Sequence, residues 1–258
     1  MIHSIKTYQW MIPLFKLRYC KHWEVSEHSE NLTDILARHP HLMFIMSHGP
    51  TLAPLASIPA LLDLMMQAGG GERKNLAIIW RPLYKIPLLK NFAAYVTNTT
   101  AALSMPDCLK HYREGFNDIM LMPEGDFCLF GNGKDIEKFI SPKFIELALN
   151  MNAPILIAAH QGTAAWGRAL PIPKLLLPLF KSLPAGHFEQ LNKNQRLNIP
   201  RFPWRLKNLC FNFKLYQPSL TLAEFKKIKN GKLQKQRLIQ EAEKIQQIMQ
   251  GMVEKLSS

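Results

Sequence analysis

Four short apolar runs, at residues 42–46, 76–80, 118–122 and 154–159, each stop at a turn, and helical patterning fills the stretches between them. Runs this short, closed by Gly, Pro or polar residues, suit strands covered on both faces. Successive strands pair in parallel only when the chain crosses back to its starting edge, and the intervening helices supply that crossover. The expected fold is therefore α/β, a mostly parallel sheet flanked by helices on both faces. Connections this short leave no room for separate domains, so one domain is expected over residues 36–258. Residues 1–35 read as an amphipathic, membrane-associating arm. There Tyr8, Trp10, Phe15, Tyr19 and Trp23 sit among Lys6, Lys16, Arg18 and Lys21, a mixture that suits lipid headgroup depth. The other reading of the arm is a helical segment packed on the core.

Local punctuation predicts the remaining elements. A short helix begins in residues 31–34 and ends near His39-Pro40, and residues 51–66 form a helix with prolines in its opening part and Gly69-Gly70-Gly71 behind it. A short helix follows over residues 84–92, and residues 95–97 (Tyr-Val-Thr) read as a weak strand. Ser104 is an N-cap with Pro106 in the first turn, and Ser141-Pro142 opens a helix over residues 143–150. Residues 209–216 alternate in polarity like a half-exposed strand near a sheet edge, and residues 233–256 form an amphipathic helix. Between Gln161 and Arg205 no period holds. Its apolar part, LPIPKLLLPLFKSLP at residues 170–184, is broken by prolines. It reads as a loop that dips into lipid, a lid over a cleft, or an irregular loop packed on the body.

Composition narrows the partners. The 258 residues are 47% hydrophobic, enough for a sizeable core, and the net charge of +13 calls for an anionic partner: a membrane surface, nucleic acid or a phosphorylated ligand. Residues 201–258 hold twelve Lys/Arg against four Glu, +8 of that excess. Four cysteines without paired spacing argue against a disulfide framework and for a reducing, cytoplasmic setting. Cys108 and His111 lack the second pair that a zinc site needs. The N-terminus lacks a leader-like apolar core, and residues 52–66, with Pro54, Pro59 and Asp63, fall short of the roughly 18 apolar residues of a membrane span.

The chemistry is expected where strands end. MFIMSHGPTLAP, residues 43–54, delivers His48 to a turn just past a strand, with a helix beginning behind it. MLMPEGDF, residues 120–127, places Glu124, Gly125 and Asp126 at the end of another, and the run 154–159 ends in His160. Three such turns at the carboxyl edge of one sheet converge on one cleft. No GxSxG, P-loop or dinucleotide fingerprint is present.

In this order and spacing the chain resembles the glycerophospholipid acyltransferase family. That family carries a His-(four residues)-Asp motif at a strand end, then Phe-Pro-Glu-Gly-Thr-Arg, then an apolar strand with a proline. The counterparts here are SHGPTLA, MPEGDF and APILIAAH, joined by WRPLYKIPLLKNF before the second block and LYQPSLTLAEF near the end. The resemblance spans roughly residues 35–255. It implies a glycerolipid-acyltransferase-like fold, peripheral on the cytoplasmic surface of a membrane. The implied activity is transfer of a fatty acyl group from acyl-CoA or an acyl-carrier protein to a lipid hydroxyl, without metal or prosthetic cofactor.

A hydroxyl is far too weak an acid to ionise at neutral pH, so its attack on a thioester needs a positioned base, and neutral His48 serves. N–H groups of Gly49 and Thr51 are candidate donors to the tetrahedral oxyanion, since Pro50 has none. Glu124 is expected to orient the acceptor's hydroxyls, and Gly125 to let backbone approach the ligand.

The chain departs from the family twice. The carboxylate five residues after the histidine is replaced by Ala53, which makes Asp126 the expected partner of the imidazole, with Glu124 next. The phosphate-binding arginine of the family's middle block is missing. Thr97 and Asn98 stand at the corresponding place, so Arg81 or Lys85 is expected to contact any acceptor phosphate. Two rival readings follow: a lipid-binding homologue that lost catalysis through Ala53, and a basic nucleic-acid-binding module resting on residues 201–258. Thioester turnover separates the first, and co-sedimentation with liposomes or duplex the second; membrane lipid, not nucleic acid, is the expected partner.

Overall fold

In a computed structural model, residues 2–87, 89–201 and 204–256 are described. The chain opens with a 3-10 turn (Ile5–Met11), α1 (Ile12–Arg18), β1 (Cys20–Val25), α2 (Leu32–Arg38), β2 (Leu42–Met46), α3 (Pro54–Met65), β3 (Asn75–Ile78) and α4 (Leu89–Thr97). It continues with α5 (Met105–Arg113), β4 (Asp118–Leu121), α6 (Lys143–Met151), β5 (Ile155–Gln161), β6 (Gly167–Pro171), α7 (Ala185–Asn194), β7 (Arg196–Pro200), β8 (Leu206–Tyr216), α8 (Leu222–Lys227) and α9 (Gly231–Lys255).

Six strands form one sheet in the order β1-β8-β5-β2-β4-β3. Neighbours from β5 to β3 are parallel, as are β1 and β8, while β8 runs antiparallel to β5. The α/β expectation holds, and its physical basis is visible in β2. All five of its residues are buried, because Met43 and Ile45 face α6 and α9 while Leu42, Phe44 and Met46 face α2 and α3. A strand buried on both faces has no polar side to alternate with, which is why it reads as an unbroken apolar run. Capping follows the sequence too: Ser104 and Asp107 exchange the reciprocal bonds of a capping box at α5.

Residues 5–25 are integral to the body. Ile5, Tyr8, Ile12, Cys20 and Trp23 are buried in the cluster around Phe44 and Phe211, and β1 forms the sheet edge against β8. Residues 95–97 belong to α4, not to a strand. Tertiary contact overrides the β propensity of Tyr-Val-Thr, since the Tyr95 ring packs at 5.3 Å on Tyr8, whose hydroxyl donates to the Tyr95 carbonyl at 2.8 Å. The helix expected over residues 84–92 divides into a 3-10 turn, Arg81–Lys85, and the start of α4; Leu88 lies outside the described residues. The patternless stretch after Gln161 is a structured cap. Here β6 and β7 pair antiparallel, and α7 with the 3-10 turn Lys174–Phe180 closes a small apolar cluster on Phe127, Phe130, Leu177 and Leu191. Among the described residues no helix is long and apolar enough to cross a membrane.

Candidate active site

Past Met46 the turn Ser47-His48-Gly49-Pro50 carries the chain from β2 toward α3. The Ser47 N–H extends the ladder to the Ala158 carbonyl at 3.0 Å, and the Ser47 hydroxyl accepts the His160 N–H at 3.0 Å. The ends of β2 and β5 are thus tied together where His48 leaves the sheet. Gly49 has φ +67, which side chains strain to adopt, and a β-carbon there would lie 2.8 Å from Thr163 Oγ1 and 3.3 Å from both Ala53 Cβ and His160 Cε1. Pro50 is clamped between the segment after Phe130 and the cap: a β-carbon on Gly133 or Gly167 would meet its ring at 3.0 or 2.9 Å.

Glu124 holds this turn from the neighbouring strand. The His48 backbone N–H donates to its Oε1 at 2.7 Å, and the Glu137 N–H donates to its Oε2 at 2.7 Å. Burial pushes this carboxyl up to about 7, with the two N–H groups pulling the other way. Both oxygens are occupied by backbone, so Glu124 positions the histidine and does not orient acceptor hydroxyls as expected. Gly125 differs from expectation as well. It has φ +49, so backbone conformation accounts for the glycine, and a β-carbon there would displace only the flexible end of half-exposed Ile140.

The His48 ring is half-buried between two unequal partners. Nδ1 lies 3.3 Å from the Gly49 carbonyl, and Nε2 lies 4.0 Å from Cys128 Sγ. A carbonyl only accepts, which assigns the proton to Nδ1 and leaves the lone pair on Nε2. Burial lowers the imidazole pKa below its ordinary value, against opposing pulls from nearby carbonyls and the Asp126 charge, so the ring is neutral at pH 7. Asp126 does not hold Nδ1, contrary to expectation. Its Oδ2 meets His187 Nε2 at 2.9 Å, and its Oδ1 is buried without a hydrogen-bond partner. The tautomer is set instead by the histidine's own neighbour, Gly49, through a long and therefore weak bond. Thr51 leans its hydroxyl on the Cys128 thiol without a hydrogen bond of ordinary geometry. Burial, reinforced by the Glu124 and Asp126 charges, pushes that thiol up to about 12.

The middle block is structural. Thr97 is fully buried, its hydroxyl donating to the Ala93 carbonyl at 2.7 Å and accepting from Tyr84 at 2.9 Å. Asn98 sits at φ +58, its amide donating to the carbonyls of His3 and Asn75 at 2.9 Å each. Neither side chain is free for substrate, which corrects that expectation. Arg81 and Lys85 are exposed on the 3-10 turn after β3.

Two residues at the site went unmarked in the sequence. Cys128 faces Nε2, and His187 reaches Asp126 from α7, where its ring also packs edge-on against Phe127 at 5.3 Å. His187 lies in the stretch without periodicity, so no local signal identifies it; Cys128 follows the MPEGDF block directly. Open grooves lie elsewhere: one of about 320 Å³ between β8 and α9 and one of about 340 Å³ beside α8, neither reaching the His48 turn. No protein-family model matches the chain, and no curated protein matches it. The acyltransferase resemblance therefore rests on SHGPTLA, MPEGDF and APILIAAH and on what surrounds them.

Proposed function

We propose that the protein is an O-acyltransferase that moves a fatty acyl group from an acyl-CoA or acyl-carrier-protein thioester to a hydroxyl of a lipid acceptor, with His48 as general base. The observation that carries this reading is the mounting of His48: clamped through its backbone by Glu124, neutral, and with the Nε2 lone pair opposite the bonded nitrogen. In the proposed reaction Nε2 takes the acceptor's proton as its oxygen attacks the thioester carbonyl. The oxyanion collapses, the carbon–sulfur bond breaks, and the thiolate recovers the proton from the imidazolium. An ester and a free thiol result. The N–H groups of Gly49 and Thr51 are the proposed oxyanion donors.

We place the protein peripherally on an anionic, cytoplasmic membrane surface. Several of the exposed large apolar side chains lie on segments that meet the carboxyl edge of the parallel strands, the edge that bears His48, while others such as Val25, Leu233 and Ile239 lie elsewhere. The former are Trp10, Leu14 and Leu17 before β1, Trp80 and Phe92 after β3, Leu175 and Leu179 in the cap, and Trp204 before β8. Lys16, Arg18, Arg81, Lys85, Lys174 and Lys181 are interspersed on the same segments. Rings and aliphatics flanked by bases match an anionic bilayer, which would present a lipid acceptor to the site. The competing reading, a lipid-binding protein without turnover, is favoured by Ala53 and by the weak Gly49 bond that replaces a carboxylate. Incubating the pure protein with acyl thioesters and lipid vesicles decides between them, with free thiol and product mass as readouts. Turnover supports transfer; tight vesicle binding without thiol release supports the competitor.

A further inference from the structure

Polar side-chain atoms buried without a partner in the protein collect around the His48 turn. They include Thr51 Oγ1, Asp126 Oδ1 and both ring nitrogens of His160. His160 is only 5% exposed, and its Cε1 lies against Gly49, so the ring is buried in the wall of the site without a hydrogen bond of ordinary geometry, the Ser47 and His48 carbonyls being its nearest acceptors. An unpaired buried polar group is costly, and several in one place call for a partner that a water or a ligand can supply. Carboxylates are the groups nearest the turn. Asp126 bears on His48, and Glu124, Asp126 and Glu137 all bear on Cys128, while His187 meets Asp126 and Lys193 and Arg196 act on Glu137. The cations Arg81 and Lys85 stay exposed on the turn after β3.

We infer that Thr51, Asp126 and His160 form an acceptor subsite for an uncharged polyhydroxy head group, an acylated 1,2-diol without phosphate. This deepens the acyl-transfer reading and rests on it for the reaction, though not for the binding. A hydroxyl both donates and accepts. It can donate to Asp126 Oδ1, and it can accept from or donate to the two His160 nitrogens. A phosphate monoester is mostly a dianion at neutral pH and would set its charge beside Asp126, whose one paired oxygen already meets His187. Phosphates of a CoA donor or of headgroups are left to the exposed bases.

The test compares a monoacylglycerol with a lysophosphatidate of the same chain in vesicles, using the full-length protein. Acylation is followed by product mass, and binding is followed separately through the 15N signals of the His160 ring. The uncharged diol is expected to shift those signals and to be acylated with a kcat/KM at least tenfold above that of the phosphate acceptor. Asp126→Asn is expected to narrow that ratio severalfold by removing the charge that disfavours phosphate. Equal or better use of the phosphate acceptor overturns the subsite, as does a His160 ring unmoved by the diol. Diol binding at His160 without thiol release supports the subsite while removing the acyl-transfer reading, which keeps the two failures apart.

Discussion

The two ends of the same strands are built by opposite rules. At the amino end of β4, Asp118 is fully buried, and Arg73 meets both its oxygens, Nε to Oδ2 at 2.8 Å and Nη2 to Oδ1 at 2.5 Å. The remaining guanidinium hydrogens go to the carbonyls of Leu36, His39 and Pro40, so the Arg73–Asp118 pair is saturated; beside it on β3 only Asn75 Oδ1 is left without a partner. At the carboxyl end the clamp on His48 is equally tight, yet Asp126, Thr51 and His160 keep unpaired atoms. One end uses its polar groups to fix loops against the sheet. The other fixes the backbone and withholds side-chain atoms from one another. Saturated polar groups stabilise; unsaturated ones beside a rigid backbone cost stability and remain available to a substrate.

Substitutions at the two ends should therefore separate activity from stability. The largest effect is expected for His48→Ala, a loss of about 10²–10⁴ in kcat with little change in melting temperature, since the Glu124 bond is to backbone. A melting temperature that collapses with the activity would erase the distinction. Next comes Arg73→Met at the saturated end. It strands a buried carboxylate and should cost about 3–5 kcal/mol in denaturant unfolding, with kcat per folded molecule unchanged. A comparable loss of kcat would show that the two ends are coupled.

The buried His160 adds a pH signature. Burial lowers its pKa from 6.5 to about 4, so between those values the unfolded chain binds a proton that the folded chain refuses. The stability that this histidine contributes is complete above pH 6.5 and is lost as the pH falls through about 4, a difference of about 3 kcal/mol at most. His160→Gln should flatten that limb of the unfolding curve. The smallest effect belongs to Ala53→Asp. Because Asp126 is engaged with His187 and the Gly49 bond is long, a carboxylate at position 53 should hold His48 better and raise kcat up to about tenfold, while its burial lowers the melting temperature. A flat or falling rate would mean that the Gly49 carbonyl already suffices.

What the sequence disclosed follows from how each residue is used. β2 and β5 were legible because burial on both faces leaves an apolar run, and His48 because it interrupts one. β1 was not: in Cys20–Val25 only Cys20 and Trp23 are buried, and the other four residues are exposed, a pattern too sparse to read. The hairpin of β6 and β7 escaped because it ends in Pro171 and Pro200 and belongs to no alternating series. Glu124 was marked for the right place and the wrong task, since nothing in Pro-Glu-Gly reveals that its oxygens meet two backbone N–H groups. Thr97 and Asn98 occupied a family position whose chemistry they do not share; their bonds to Ala93, His3 and Asn75 come from packing that no local pattern encodes.

The central claim is that His48 presents a neutral Nε2 lone pair at the unsaturated end of the sheet. Titrating its ring nitrogens by 15N NMR, beside the pH–rate profile of acyl transfer, tests that most directly. The expected result is a proton on Nδ1, a midpoint below pH 6.5, and an acid limb of the rate profile that falls at the same midpoint. A proton resident on Nε2 at pH 7, or a rate that ignores this titration, would contradict it.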